Sequence, residues 1–232
     1  MPKTLRGAPT KPQDADCEKS YLILRYAHDS ARSMLESFDE VRRARRRRGA
    51  TTDEEQDLLR AMIVFAGAGL DSMLKNLIQD TLPAILYRSK QARDELKKFV
   101  ERSITRKDPV DATFLANALV SSTPFRAIVN QLTVYLTDHS LQSVEKLIES
   151  VKHLGLPETL ITAKKTEIKR IFDARNKMIH EMDINFNHPS RNRTPHKRDN
   201  IIADANQLLD LAGEILQAVD NLMLKEENDQ EI

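Results

Sequence analysis

The chain has 232 residues, of which 40% are hydrophobic and 31% charged, so it is long enough to bury one substantial core. A formal net charge of +1 excludes attraction to nucleic acid through overall charge, and the single cysteine, Cys17, excludes an internal disulfide. No uninterrupted apolar run reaches the length needed to cross a bilayer and the N-terminus lacks the apolar core of a signal peptide, so we expect a cytoplasmic protein with no membrane partner.

The first part of the chain is predicted to contain a disordered arm and two long helices. Residues 1–15 lack hydrophobic periodicity and predict the arm. Apolar residues at helical spacing predict the first helix from about residue 17 to 48, where it runs into a block of arginines. Thr52 and Glu55 form a capping-box pattern, so a second helix should begin there, and Pro83 should kink or end it.

The second helix contains a Gly-x-Gly pair, Gly67 and Gly69, which is reminiscent of a phosphate-binding loop. The pair lies within helical periodicity and lacks the strand, the spacing and the lysine of such loops. We therefore interpret the two glycines as a smooth helix surface that lets a neighbouring helix approach closely.

The rest of the chain is predicted to be helical except for one polar loop. Four shorter helices are predicted, with a break near Asp108-Pro109, over residues 91–102, 112–120, 124–136 and 141–153. Pro157 should open a long helix that ends near residue 182. Residues 183–199 are polar and predict a loop, after which Asn200 should cap a final helix over 201–224.

These elements predict a single all-α domain over residues 16–226. The expected architecture is an up-and-down helical bundle with short accessory helices inserted between the core helices at about residues 88–138. An acidic tail, residues 227–232, should follow the domain.

One residue of the long helix at 157–182 interrupts its hydrophobic pattern. The residues that helical geometry places on one face are Ile168, Ile171, Phe172, Ile179 and Met182. Arg175 falls near the middle of this apolar stripe, where an unpaired charge is costly, so it needs an acidic partner, a polar cleft or an anionic ligand. His180 lies about 140° around the helix from Arg175, and Asn176 shares the side of His180. The simplest alternative is an arginine bonded to a carboxylate and a half-exposed histidine.

The segment Arg175-Asn176-Lys177-Met178-Ile179-His180 resembles the R-x4-6-H motif of the HEPN superfamily. The second helix, at 63–75, resembles that superfamily's second helix, with Asp71 about where many members carry an acidic residue. The resemblance covers roughly residues 17–85 and 140–225. Met182 stands two residues after His180, where toxin members that are silenced by nucleotide transfer carry a tyrosine, and this departure argues against such a partnered toxin.

The resemblance implies a HEPN-like bundle that forms a homodimer and cleaves RNA without a metal ion or cofactor, leaving a 2′,3′-cyclic phosphate and a 5′-hydroxyl. It implies a catalytic role for Arg175, His180, Asn176 and Asp71. Histidine can act as a base or acid near neutral pH, and arginine offers fixed donors that match a phosphate. The resemblance also leads us to expect a toxin or phage-defence effector. Its partner would be an antitoxin or another defence-system protein.

Basic residues elsewhere are candidates for contacts with the RNA backbone. The candidate residues are Lys177, Arg42, Arg43, Arg45, Arg46, Arg191, Arg193 and Lys197. The alternative for the arginine block is a solvated helix end. His188 and His196 flank the basic loop and are expected to be solvated, because no metal-ligand spacing accompanies them.

Two other functions stay open at this point. The first is a non-catalytic HEPN-like dimer that binds RNA, a nucleotide or a protein. The second is purely structural, with Arg175 in a core ion pair, for example with Asp71.

Overall fold

The computed structural model describes residues 4–45, 49–105, 109–187 and 189–225, and over these residues the chain is helical. A 3-10 turn at Ala15–Cys17 precedes nine α-helices within the described ranges. They are α1 (Glu18–Ala44), α2 (Asp53–Arg88), α3 (Lys90–Thr105), α4 (Pro109–Val120), α5 (Pro124–Thr137), α6 (Val144–His153), α7 (Thr159–Thr162), α8 (Lys165–His180) and α9 (Arg198–Met223). Extended pairing in the described residues is limited to one isolated bridge between Ile184 and Arg193, so the prediction of an all-α fold is confirmed.

The long helix α2 is the centre of the core, with α1 and α9 as its main neighbours. It begins with the predicted capping box, in which the Thr52 hydroxyl accepts from the Glu55 amide and the Glu55 carboxylate accepts from the Thr52 amide. Gly69 faces α1 so closely that a Cβ there would lie 2.2 Å from the Cβ of Ala27. The predicted close approach at this glycine is therefore confirmed.

The structure corrects the prediction that Pro83 kinks or ends the second helix, because α2 continues to Arg88. Proline removes one backbone donor from the helix. Buried residues lie on both sides of it, among them Leu82 and Ile85, and their packing compensates for the lost bond. By length and apolar composition α2 could also span a bilayer, although 56% of that stretch is buried inside the fold, as in the core helix of a globular domain.

The predicted long helix over 157–182 is two helices, α7 and α8, with a break between them. The backbone leaves the helical region at Lys164, whose φ is −118° and whose amine bonds Glu214 of α9 at 2.7 Å. The final helix also begins at Arg198, earlier than the expected cap at Asn200. The residue types at both places are compatible with a helix, so the hydrophobic pattern alone does not locate these boundaries.

The N-terminal segment differs from the predicted disordered arm. Residues 4–14, which we call the strap, lie along α9 and α1, whereas residues 1–3 are outside the described residues. The Arg6 guanidinium pairs with Asp210, and the amides of Gln13 and Asp14 donate to the buried Asp220 carboxylate at 3.0 and 2.8 Å. Backbone hydrogen bonding, which hydrophobic periodicity does not report, orders this polar segment. The predicted acidic tail lies outside the described residues.

Candidate active site around Arg175

Arg175 lies where α8 crosses α2, at the first glycine of the Gly-x-Gly pair. A Cβ at Gly67 would be 3.7 Å from Cγ and 3.8 Å from Nε of Arg175, so the arginine stem runs over the bare backbone of α2. The side chain is half-buried, Nη1 donates to Oδ1 of Asn176 at 3.3 Å, and the buried Nε has no hydrogen-bond partner in the described part of the chain. Burial lowers the pKa of Arg175, and the negative charge of Asp71 opposes that shift.

The buried face of α8 differs from the sequence prediction in two of its members. Ile168, Ile171 and Phe172 are buried as expected, and Met178 is buried in place of Ile179 and Met182. Met182 is 57% exposed because α8 has already ended at His180. Arg175 therefore keeps its predicted place in the middle of this face, where it is half-buried and its long side chain can still reach solvent.

Asp71 is near Arg175 but is bonded to other groups. Its carboxylate accepts from the amide of Leu141 at 2.6 Å and pairs with Lys75 of the same helix at 3.2 Å. The resulting charge acts on Arg175 through space, without a direct hydrogen bond among the described contacts. A core ion pair between Arg175 and Asp71 is thus not formed in this structure.

A residue that sequence reasoning did not identify completes this side of the site. Gln142 precedes α6, its Nε2 donates to the carbonyl of Gly67 at 3.4 Å, and its buried Oε1 has no partner among the described residues. The residue is far from Arg175 in sequence, and no local pattern marks a glutamine that folds back on a glycine. Only the path of the α5–α6 connection brings it to Gly67.

His180 is the last residue of α8 and its side chain is exposed. No hydrogen bond to its imidazole is found within the described ranges of the chain. The structure thus groups Arg175, Asn176 and Asp71 at the α2–α8 crossing and leaves His180 at the helix end, open to a ligand or to a second subunit.

The polar loop after His180, residues 181–197, is held firmly on α2, and we call it the anchored loop. Arg60 and Asp183 are each 5% exposed and are bonded at 3.0 Å from Nε to Oδ2, and the same oxygen lies 2.5 Å from Nε2 of His196. The amide of Thr194 donates to the carbonyl of Asp183 at 2.8 Å, which ties the two ends of the loop together. Because of these bonds, the expectation that His196 is solvated is wrong. His188, the other histidine of the loop, lies outside the described residues.

The backbone at the start of the anchored loop explains why α8 ends there. Met182 and Asp183 have φ values of 51° and 60°, in the left-handed region that residues with a Cβ rarely adopt. The amide of Asp183 donates back to the carbonyl of Lys177 at 3.0 Å. The buried bonds of the Asp183 carboxylate compensate for the backbone strain.

Many of the basic residues considered for RNA contacts already have partners inside the protein. Arg42 and Arg45 pair with the fully buried Glu55, at 3.4 and 3.5 Å. Nε of Arg43 donates to the carbonyl of Asp39, and Arg193 pairs with Asp57 at 2.7 Å. Lys177 of α8 and Arg191 and Lys197 of the anchored loop are exposed candidates. Arg46 lies outside the described residues.

In the described residues no group of three or more His, Cys, Asp or Glu side chains is placed to hold a metal ion. Comparison with models of known protein families, with curated proteins and with solved structures finds no match for this chain.

Proposed function

We propose that this protein is a metal-independent endoribonuclease of the HEPN type that acts as a homodimer. The observation that supports the proposal best is the placement of Arg175. Its guanidinium is half-buried, its Nε has no hydrogen-bond partner among the described residues, and it lies five residues before an exposed histidine. An arginine that has no carboxylate bonded to it suits an anionic ligand, and a phosphodiester is the ligand that the motif implies.

The chemistry follows from these two residue types. His180 takes the proton of the ribose 2′-hydroxyl, whose oxygen attacks phosphorus, and the bond from phosphorus to the 5′-oxygen breaks. The leaving 5′-oxygen takes up a proton, either from the protonated imidazole or from the second His180 of a dimer. Arg175 holds the negative charge that gathers on the phosphoryl oxygens. The products are a 2′,3′-cyclic phosphate and a 5′-hydroxyl.

Asn176 and Asp71 have positioning roles in this proposal. Asn176 accepts from the Arg175 guanidinium and limits its rotation. The charge of Asp71 favours the charged form of Arg175 without neutralising it through a direct bond.

We expect Arg175→Ala and His180→Ala each to lower the rate of RNA cleavage in EDTA by about 100-fold or more, because each removes a group that acts on the reacting atoms. The measurement is cleavage of single-stranded and structured RNA, with analysis of the product ends. Lys169→Ala is the matched control, since Lys169 is an exposed cation of the same helix on another face. Cleavage that survives both site substitutions, or that requires a divalent metal, would contradict the proposal.

The expected role as a toxin or defence effector needs a separate test in cells. If the protein is a toxin or defence effector, its expression in bacterial cells should arrest growth, and Arg175→Ala should restore growth. A restraining partner protein would copurify with the wild-type chain, and light scattering of the pure protein would report the dimer.

His180 is exposed, and within the part of the chain that the structure describes no hydrogen bond holds its ring. This favours a second candidate, a non-catalytic dimeric module that binds RNA, a nucleotide or a protein. A catalytic histidine normally has a neighbour that orients it. For such a module, Arg175→Ala should weaken RNA binding while no turnover is detected at any protein concentration.

A further inference from the structure

The anchored loop carries an exposed aromatic ring six residues after His180. Phe186 is 59% exposed, the highest value among the seven phenylalanines of the chain. Its backbone is ordered, because the Asn185 side chain accepts from the Asn187 amide at 3.2 Å and the Asn185 amide donates to the carbonyl of Asn192 at 3.0 Å. The ring is therefore presented to solvent by a backbone segment that is hydrogen-bonded on both sides of it.

Hydrogen bonds to α2 hold the two ends of the anchored loop in place. Both ends are bonded to α2, one through Asp183 to Arg60 and the other through His196 to Gln56, whose side chain exchanges two hydrogen bonds with the His196 backbone at 2.8 and 3.1 Å. A ring held in this way loses little freedom when a flat partner stacks on it.

The surroundings of Phe186 are polar and positively charged. Asn185, Asn187 and Asn192 are exposed in the same loop, and the Arg191 side chain is exposed on its returning side. Lys177, one turn before His180 on α8, adds a second exposed cation. An isolated ring among amides and cations matches a nucleobase with its phosphate better than it matches the broad apolar centre of a protein interface.

We propose that Phe186 is a stacking platform for a base of single-stranded RNA next to the scissile phosphate, with Arg191 on the adjoining backbone. This inference rests on the proposed ribonuclease function and adds a binding subsite to it. The loop leaves α8 directly after His180, so a strand whose phosphate lies at His180 can place a neighbouring base on Phe186.

Fluorescence can test the stacking directly, because the chain has no tryptophan. Phe186→Trp introduces a single indole, and His180→Ala in the same chain keeps the RNA intact. We expect short oligoadenylate to quench this indole strongly and an oligomer of abasic residues of equal length to leave it unchanged. Tyr26→Trp, at a 64% exposed position on α1, is the matched control and should show no quenching.

Affinity gives a second and independent measurement. In the His180→Ala background, Phe186→Ala should weaken oligoadenylate binding about 5- to 100-fold, and Phe186→Tyr should retain it, since stacking needs only an aromatic face. Unchanged affinity in Phe186→Ala, an unquenched indole, or equal loss in the tyrosine variant overturns the proposal. Binding of a protein rather than RNA at the same loop would also overturn it. If the wild-type chain does not cleave RNA while the indole is quenched and Phe186→Ala loses affinity, the ribonuclease function alone fails and the stacking subsite stands.

Discussion

At the scale of single residues, the two glycines of α2 have different tasks although only one residue separates them. Gly69 faces α1, where a methyl group would overlap Ala27, whereas Gly67 lies under the stem of Arg175 with room for ordinary van der Waals contact. Helical geometry turns neighbouring positions to different partners. One glycine therefore sets the packing of the core, and the other lies at the candidate site.

We expect Gly69→Ala to destabilise the protein by about 1–3 kcal/mol, because the added methyl forces α1 away from α2. Gly67→Ala should be neutral or stabilise α2 by up to about 1 kcal/mol, since alanine is the better helix former and nothing is displaced. Urea unfolding of both variants checks the pair. Equal stability of the two variants would contradict the assigned contacts.

His153 provides an expectation about pH. The side chain is 1% exposed, and burial lowers its pKa from 6.5 to about 4, against the attraction of Glu95 and Glu149 and with the help of Arg102 and Lys152. Between these two pH values the unfolded imidazole binds a proton that the folded one does not. Stability is thus fully present above pH 6.5 and is lost as the pH falls toward about 4.

The expected loss through His153 is up to about 3 kcal/mol across that window. The measurement is the free energy of unfolding at about pH 7 and about pH 5, for wild type and for His153→Leu. The leucine variant should show the smaller decrease, because carboxylates still titrate but this imidazole does not. Identical decreases would exclude His153 as the cause.

At the scale of elements, local signals in the sequence were sufficient to predict the ends of some helices and insufficient to predict those of others. The start of α2 could be predicted because Thr52 and Glu55 contact each other across a single turn. The break at Lys164 could not be predicted, because no glycine or proline interrupts the helical pattern of residues 158–182. The candidate site divides in the same way: Arg175 interrupts its own helix pattern, but Gln142 reaches Gly67 only through the tertiary path.

The anchored loop is the element whose energetics can be tested most sharply. Arg60→Ala leaves the buried Asp183 carboxylate with His196 alone, so we expect a loss of about 3 kcal/mol and faster proteolytic cleavage in the loop. Asp57→Ala removes a 53% exposed carboxylate from the same cluster and should cost less than about 1 kcal/mol. Thermal unfolding and limited proteolysis measure both. Comparable losses in the two variants would mean that burial of the pair contributes little.

At the scale of the whole molecule, the strap joins the beginning of the chain to its last helix. Cys17 ends the 3-10 turn after the strap and is fully buried, and burial, with smaller contributions from Asp14 and Asp220, raises the pKa of its thiol to about 12. A protonated and inaccessible thiol is inert, so its reactivity reports opening of this end of the molecule.

Asp220→Ala should release the strap, because the amides of Gln13 and Asp14 lose their acceptor. We expect Cys17 to react at least about 10-fold faster with a thiol reagent and stability to fall by about 1–3 kcal/mol. Asp210→Ala, which frees only the Arg6 end, should give a smaller increase in reactivity. An unchanged reaction rate in Asp220→Ala would show that the strap does not control access to Cys17.

The central position of α2 has a consequence for synthesis. About 110 residues separate its end from the start of α9, so at roughly 5–20 residues per second the ribosome exposes this apolar helix for on the order of ten seconds before its second large neighbour exists. During that time α1 and the shorter helices that also contact α2, namely α3, α5 and α8, can cover it only in part. The nascent chain should therefore be a client of chaperones that bind apolar segments, and it should acquire protease resistance only after α9 has left the exit tunnel.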